Sequence, residues 1–100
     1  MSLIVAGTIR VPPENVGALL PHMLTMMTAT RAEDGCDVCA YAQDVAEPSL
    51  IRVFEIWRDK AALDAHFATA HMAAWRAAGA SLGVFDRSIT AYDIASQRGL

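Results

Sequence analysis

One hundred residues make a single domain, residues 1–100, with no room for a second. The net charge is −3, and the eight Lys and Arg residues scatter from Arg10 to Arg98 without a basic stripe, which argues against a nucleic-acid partner. Apolar residues reach 54% against 19% charged, an excess of apolar surface of the kind a second subunit covers.

Ser2–Val11, rich in Ile, Val and Thr and closed by Pro12-Pro13, reads as the first strand. Its apolar run Leu3–Ile9 is short, follows no basic stretch and ends at Arg10, which does not fit a signal peptide. No segment approaches the roughly 20 apolar residues of a membrane helix, so the chain is expected in the cytoplasm. Pro13 suits the first turn of a helix. Val16, Leu19, Leu20, Met23, Met26, Met27 and Thr30 then keep helical spacing to about Glu33. Pro21 falls inside this stripe and should kink the helix or remove one hydrogen bond.

Asp34-Gly35 ends the helix, and Cys36–Asp44 reads as a second strand. Cys36 and Cys39 form a C-x-x-C pair. No further cysteine completes a zinc site, and residues three apart on a strand point to opposite faces. Two reduced thiols are therefore expected, with a redox role left open. Ala46–Ser49 is a turn, and Leu50–Trp57 is the clearest strand, antiparallel to the one before it. Asp59 offers an N-cap to a helical stretch Lys60–Ala78. Leu63, His66, Phe67, Ala70 and Ala74 form its expected inward stripe, with a break at Thr69. Gly79 and Gly83 bracket a predicted loop, and Val84–Ile94 is the final strand before a polar tail.

The order β-α-β-β-α-β predicts an α+β, ferredoxin-like fold: a four-stranded antiparallel sheet with both helices on one face. The other face is left bare, and pairing with a second copy would cover it.

Particular residues carry a family resemblance. They are Gly35, Tyr41, Pro48, Glu55-Ile56-Trp57, Asp59, Ala62-Leu63, Ala65-His66-Phe67 and His71. Glu-x-Trp followed shortly by Ala-Leu-x-x-His resembles the antibiotic-biosynthesis-monooxygenase family, over Leu3 to about Ile94. The resemblance implies a dimeric α+β barrel in which two sheets meet face to face. It also implies an oxygenase of aromatic quinols or anthrones that uses no metal, flavin or haem. Other branches degrade haem or isomerise a small phosphorylated ketone, so the family guides fold better than reaction. In the haem branch an axial histidine would fall at or beside Trp75-Arg76 and an Asn near Gly7. This sequence has neither.

His66 is the leading candidate base, since its place on the apolar stripe turns the ring into the helix–sheet gap. A core histidine bonded to a backbone carbonyl is the competing reading. Glu55 shares parity with Ile51, Val53 and Trp57 and needs a partner: His66, Arg52 or an arginine of a second subunit. It either orients His66 or closes an interface salt bridge, and the face it occupies is open. Tyr41, Trp57 and Phe67 are expected as substrate walls, with Met23 and Met27 as an adaptable lining; core packing explains the same residues. His71 lies about 140° around an ideal helix from His66, so no metal site is expected from that pair. His22 is expected to face solvent.

The first expectation is a cofactor-independent monooxygenase on a small aromatic quinol, using O₂, with His66 as base and Glu55 beside it. A non-oxidative isomerase of a small carbonyl compound and a non-enzymatic dimer that binds a hydrophobic metabolite are the alternatives.

Overall fold

The computed structural model describes residues 1–100. Strand β1, Leu3–Arg10, runs into a 3-10 turn, Pro13–Asn15, and helix α1, Val16–Arg31. Strands β2, Cys36–Gln43, and β3, Leu50–Trp57, form the hairpin. Two helices follow, α2, Lys60–Phe67, and α3, Ala70–Leu82, before strand β4, Phe85–Asp93. The sheet order is β2-β3-β1-β4 with every neighbour antiparallel, the ferredoxin-like α+β arrangement expected from the sequence.

Alternation decides which side of each strand is buried. Leu3, Val5 and Ile9 of β1 and Ile51, Val53, Glu55 and Trp57 of β3 all face the helices and are buried. Helix α1 answers with Leu19, Met23, Met26 and Thr30, the stripe that its spacing predicts. Pro21 lies inside α1 without interrupting it. Gly17, four residues earlier, is exposed, so the carbonyl that Pro21 cannot serve is left to solvent. Asn15 Nδ2 donates to the Leu82 carbonyl at 2.8 Å, tying the start of α1 to the end of α3.

The turn from α1 into β2 pivots on Gly35, whose φ of +86° is ordinary only for glycine. Beyond it β2 bulges between Cys36 and Val38. The β2–β3 turn is closed by Asp44, which accepts from the backbone of Ala46 and Glu47 at 3.0 and 2.9 Å and from Arg52 at 2.8 Å. The Arg52 hydrogen bond leads the contacts that hold this carboxyl below its ordinary value.

The second helical stretch departs from the sequence expectation in its facing. Asp59 caps α2 through Ala62 N at 2.8 Å, and Thr69 caps α3 through Met72 N at 3.3 Å. The break at Ala68–Thr69 resets the helical phase. Leu63 and His66 are buried as expected, but Phe67, Ala70 and Ala74 are exposed, and Met72, Trp75 and Gly79 take the inward places. No loop separates Gly79 from Gly83: α3 runs on to Leu82, and Gly83 at φ +81° ends it.

The far face of the sheet carries Ile4, Ala6, Val38, Ala40, Phe54, Ile56 and Tyr92 with no element packed over them; Phe54 is 42% and Tyr92 54% exposed. No helix is long and apolar enough to cross a membrane. At the β1–β4 seam, a Cβ on Gly7 would fall 1.9 Å from the Ser88 carbonyl oxygen. Gly7→Ala should therefore part the two strands and lower stability by about 1–3 kcal/mol. Urea unfolding would measure this, and an unchanged midpoint would contradict so close an approach.

Candidate active site

One buried polar set, one part-buried set and a cavity occupy the space between sheet and helices. The first set centres on Glu55, which is 4% exposed on the helix-facing side of β3. This settles which face it occupies. A carboxylate placed there needs donors. Trp57, two residues along the strand and so on the same side, donates Nε1–H to Glu55 Oε1 at 2.7 Å. Tyr41, opposite Val53 on β2, brings its hydroxyl towards the same carboxylate. Burial first, and then the charge of Glu55, drive the Tyr41 hydroxyl well above the ordinary tyrosine value, so it stays a donor.

The second set centres on Glu33, just past α1. His66 Nδ1 lies 2.6 Å and His71 Nε2 2.8 Å from Glu33 Oε2. An ionised carboxylate only accepts, so both ring nitrogens carry hydrogens in this arrangement, and a neutral His66 leaves its lone pair on Nε2. The partner of His66 is thus Glu33, not Glu55. His66 is 1% exposed and lies against Trp57, ring centroids 4.6 Å apart, which links the two sets through an aromatic contact. The helical-wheel argument that keeps His66 and His71 apart fails at the Ala68–Thr69 break. Their rings come within 6.0 Å, centroid to centroid.

The cavity, about 540 Å³, opens between α3 and the sheet. Tyr41, Phe67, Trp75, Arg76 and Arg87 are among its lining, with Ile9 and Ile89 at its floor. Of the residues expected to meet substrate, Tyr41 and Phe67 are on its wall. Trp57, Met23 and Met27 are not: Trp57 and Met23 are core, and Met27 offers its sulfur to the Tyr41 N–H at 3.2 Å. His66 and Glu55 are also off the wall, His66 next to Phe67 and Glu55 behind Tyr41. Arg76 donates to the Phe67 carbonyl at 3.2 Å, and neither Arg76 nor Arg87 pairs with a carboxylate. Sequence reasoning missed Glu33, Trp75, Arg76 and Arg87. Only Arg87 had a signal, strand parity with Ile89.

The bulge changes the cysteine geometry too. Cys36 pairs with Trp57 and Cys39 with Glu55, so both thiols face the helices rather than opposite sides. Both are unpaired. Burial, then the charge of Glu55, pushes Cys36 up to about 11 and Cys39 up to about 12. That is the reverse of a reactive C-x-x-C pair, whose thiolates are stabilised. At pH 8 the folded protein should react with a thiol-specific disulfide reagent on the order of a hundredfold more slowly than the urea-unfolded chain. Equal rates would show that the thiols are not held in this way.

Residues 2–78 match the family model of the antibiotic biosynthesis monooxygenases, and the chain belongs to that family. Over its whole length it is similar to the crystal structure of a putative antibiotic biosynthesis monooxygenase from Deinococcus radiodurans, with a TM-score of 0.89, 26% identity and 98% of that chain covered. It shares its fold with a putative family member from Nitrosomonas europaea at a TM-score of 0.88 and 17% identity, over 98% of this chain and 94% of the other. An uncharacterized Synechocystis protein is 36% identical over 67 residues, 67% of this chain. The chain spans 46% of the length of that relative.

Proposed function

We propose that the chain is a monooxygenase of a small, planar quinol- or anthrone-like substrate, working without metal, flavin or haem and as a homodimer. The observation that carries this reading is the apolar cavity of about 540 Å³ with Tyr41 on its wall and the buried Glu55 behind it. Trp75 stands edge-on to Tyr41, ring centroids 5.7 Å apart, and with Phe67 offers aromatic surface to a flat ring.

A general base must come within hydrogen-bond reach of the proton it removes. His66, the base expected from the sequence, is off the cavity wall and committed to Glu33 at Nδ1. Glu55 has a route through Tyr41. In this reading Tyr41 hydrogen-bonds the substrate oxygen and passes its own proton to Glu55 as it takes the substrate's. Arg76 and Arg87 supply positive charge beside the developing oxyanion. Trp57 fixes the Glu55 carboxylate, and His66 backs Trp57.

The deprotonated substrate gives one electron to O₂, and recombination forms a peroxide at carbon. Loss of water leaves a carbonyl. A CH₂ group and O₂ become C=O and H₂O, so the substrate supplies all four electrons and no outside reductant is consumed.

The test is O₂ uptake with a panel of quinols and anthrones. Tyr41→Phe and Glu55→Gln should each cut turnover by about 10²–10⁴, the usual size of acid–base catalysis. His66→Gln should cost less; a loss as large as that of Tyr41→Phe would return the base to His66. Turnover undiminished under nitrogen would replace the oxygenase by an isomerase, and binding without turnover would leave a binding module. For the homodimer, the bare face around Phe54 is the proposed contact, since apolar surface of this kind favours association. Sedimentation should give a dimer for the unmodified chain and a monomer for Phe54→Lys. A monomer in both would remove this part of the reading.

A further inference from the structure

We propose that Glu33, His66 and His71 form a binding site for a divalent transition-metal ion of the zinc type. The inference is independent of the oxygenase reading, because none of the three residues lines the substrate cavity.

The donors come from three separate pieces of chain: the end of the α1 segment, α2, and the first turn of α3. Each presents one ligand atom to the same point, and the three atoms all lie within 4.8 Å of one another. A zinc-type ion holds its nitrogen and oxygen ligands at about 2.0–2.2 Å, which places tetrahedral ligand atoms about 3.4 Å apart. The present N···O separations of 2.6 and 2.8 Å would have to open by about 0.8 and 0.6 Å for an ion to replace the two bridging hydrogens. Small rotations of the Glu33 side chain, 14% exposed, and of the His71 side chain, 22% exposed, would bring all three atoms to that spacing.

The donor set also selects the ion. Two imidazoles and one carboxylate suit zinc, cobalt, nickel or iron(II), whereas magnesium and calcium want oxygen alone. Three protein ligands leave a fourth position for water.

The setting favours capture of an ion from solution. His66 is 1% exposed and fixed against Trp57, while His71 is 22% exposed. A cleft of about 100 Å³ between α1 and α3, bordered by His71, Thr25 and Trp75, opens beside the cluster. Thr69 caps α3 and so fixes the first turn, which carries His71. An ion here would clamp α2 and α3 to the end of α1.

The experiment uses the full chain without any affinity tag, stripped with a chelator and titrated with Zn²⁺, and with Co²⁺ for its visible spectrum. One Zn²⁺ per chain is expected, with a rise in melting temperature, since an ion bound only by the folded state stabilises it. Glu33→Gln and His71→Asn should each weaken binding about tenfold or more, while Cys36→Ser and Cys39→Ser leave it unchanged. In the unmodified protein the imidazole signals of His66 and His71 should shift with Zn²⁺ while that of His22 stays, which reads the site even where a variant fails to fold. Absence of stoichiometric binding would overturn the proposal, leaving the cluster as a hydrogen-bonded carboxylate alone. So would binding that survives Glu33→Gln and His71→Asn, or that moves only His22 or depends on the thiols.

Discussion

A carboxylate pressed into an apolar helix–sheet seam must be given donors or it will not stay ionised there, and this requirement shapes the interior of the protein. Glu55 takes the Trp57 indole N–H, and Glu33 takes one nitrogen from each of His66 and His71. No buried side-chain polar atom is left without a partner. These bonds tie β3 to itself and the end of α1 to both later helices. Removing one donor would leave a buried charge short of a partner, which costs more than the bond itself contributes. The two sets therefore constrain their neighbours more strictly than the surrounding methionines and leucines do.

The sheet divides the work by face. On the helix side, strand alternation lines up Ile51, Val53, Glu55 and Trp57, and the two β2 thiols and Tyr41 join them because of the bulge after Cys36. The far side is apolar and uncovered. The buried polar groups and the uncovered apolar surface thus lie on opposite faces, with Tyr41 on the first and Phe54 on the second. The salt bridges outside these sets, such as Lys60–Asp64 and Arg10–Glu47, involve exposed side chains and contribute little.

Much of this was legible in the chain because it rests on periodicity. The four strands, the α1 stripe, the Asp59 cap and the break at Thr69 follow from spacing and capping chemistry. So does the inward direction of His66. The cluster around Glu33 was not legible. Five residues separate His66 from His71, and on one continuous helix that spacing points the rings apart. Two non-helical residues at the break undo the argument, and the result depends on a change of direction that no local pattern encodes. The C-x-x-C pair failed for a similar reason: one bulged residue moves every later side chain to the other face. Gly79 misled because a helix tolerates an interior glycine at modest cost when packing compensates. Pairing of Glu55 with Trp57 rather than His66 turned on which donor lies two residues along the same strand, a choice that parity allows but does not make.

The arrangement also bears on how one scaffold carries different reactions. The cavity wall is built from side chains of α2, α3 and β4 together with Ile9 and Tyr41, whereas Glu55 and His66 sit one layer deeper. Trp75 and Arg76 are at the cavity wall, and Gly7 is fixed by the approach of the Ser88 carbonyl, which leaves no space there for an asparagine side chain. A side chain at position 7 would need a change in the backbone spacing of the central strand pair. The cavity can be reshaped through wall residues such as Phe67, Arg76 or Arg87, each exposed and replaceable without touching the buried Glu55. The inner layer holds the fold together while the outer layer shapes the cavity, so membership of the family constrains the first far more tightly than the second.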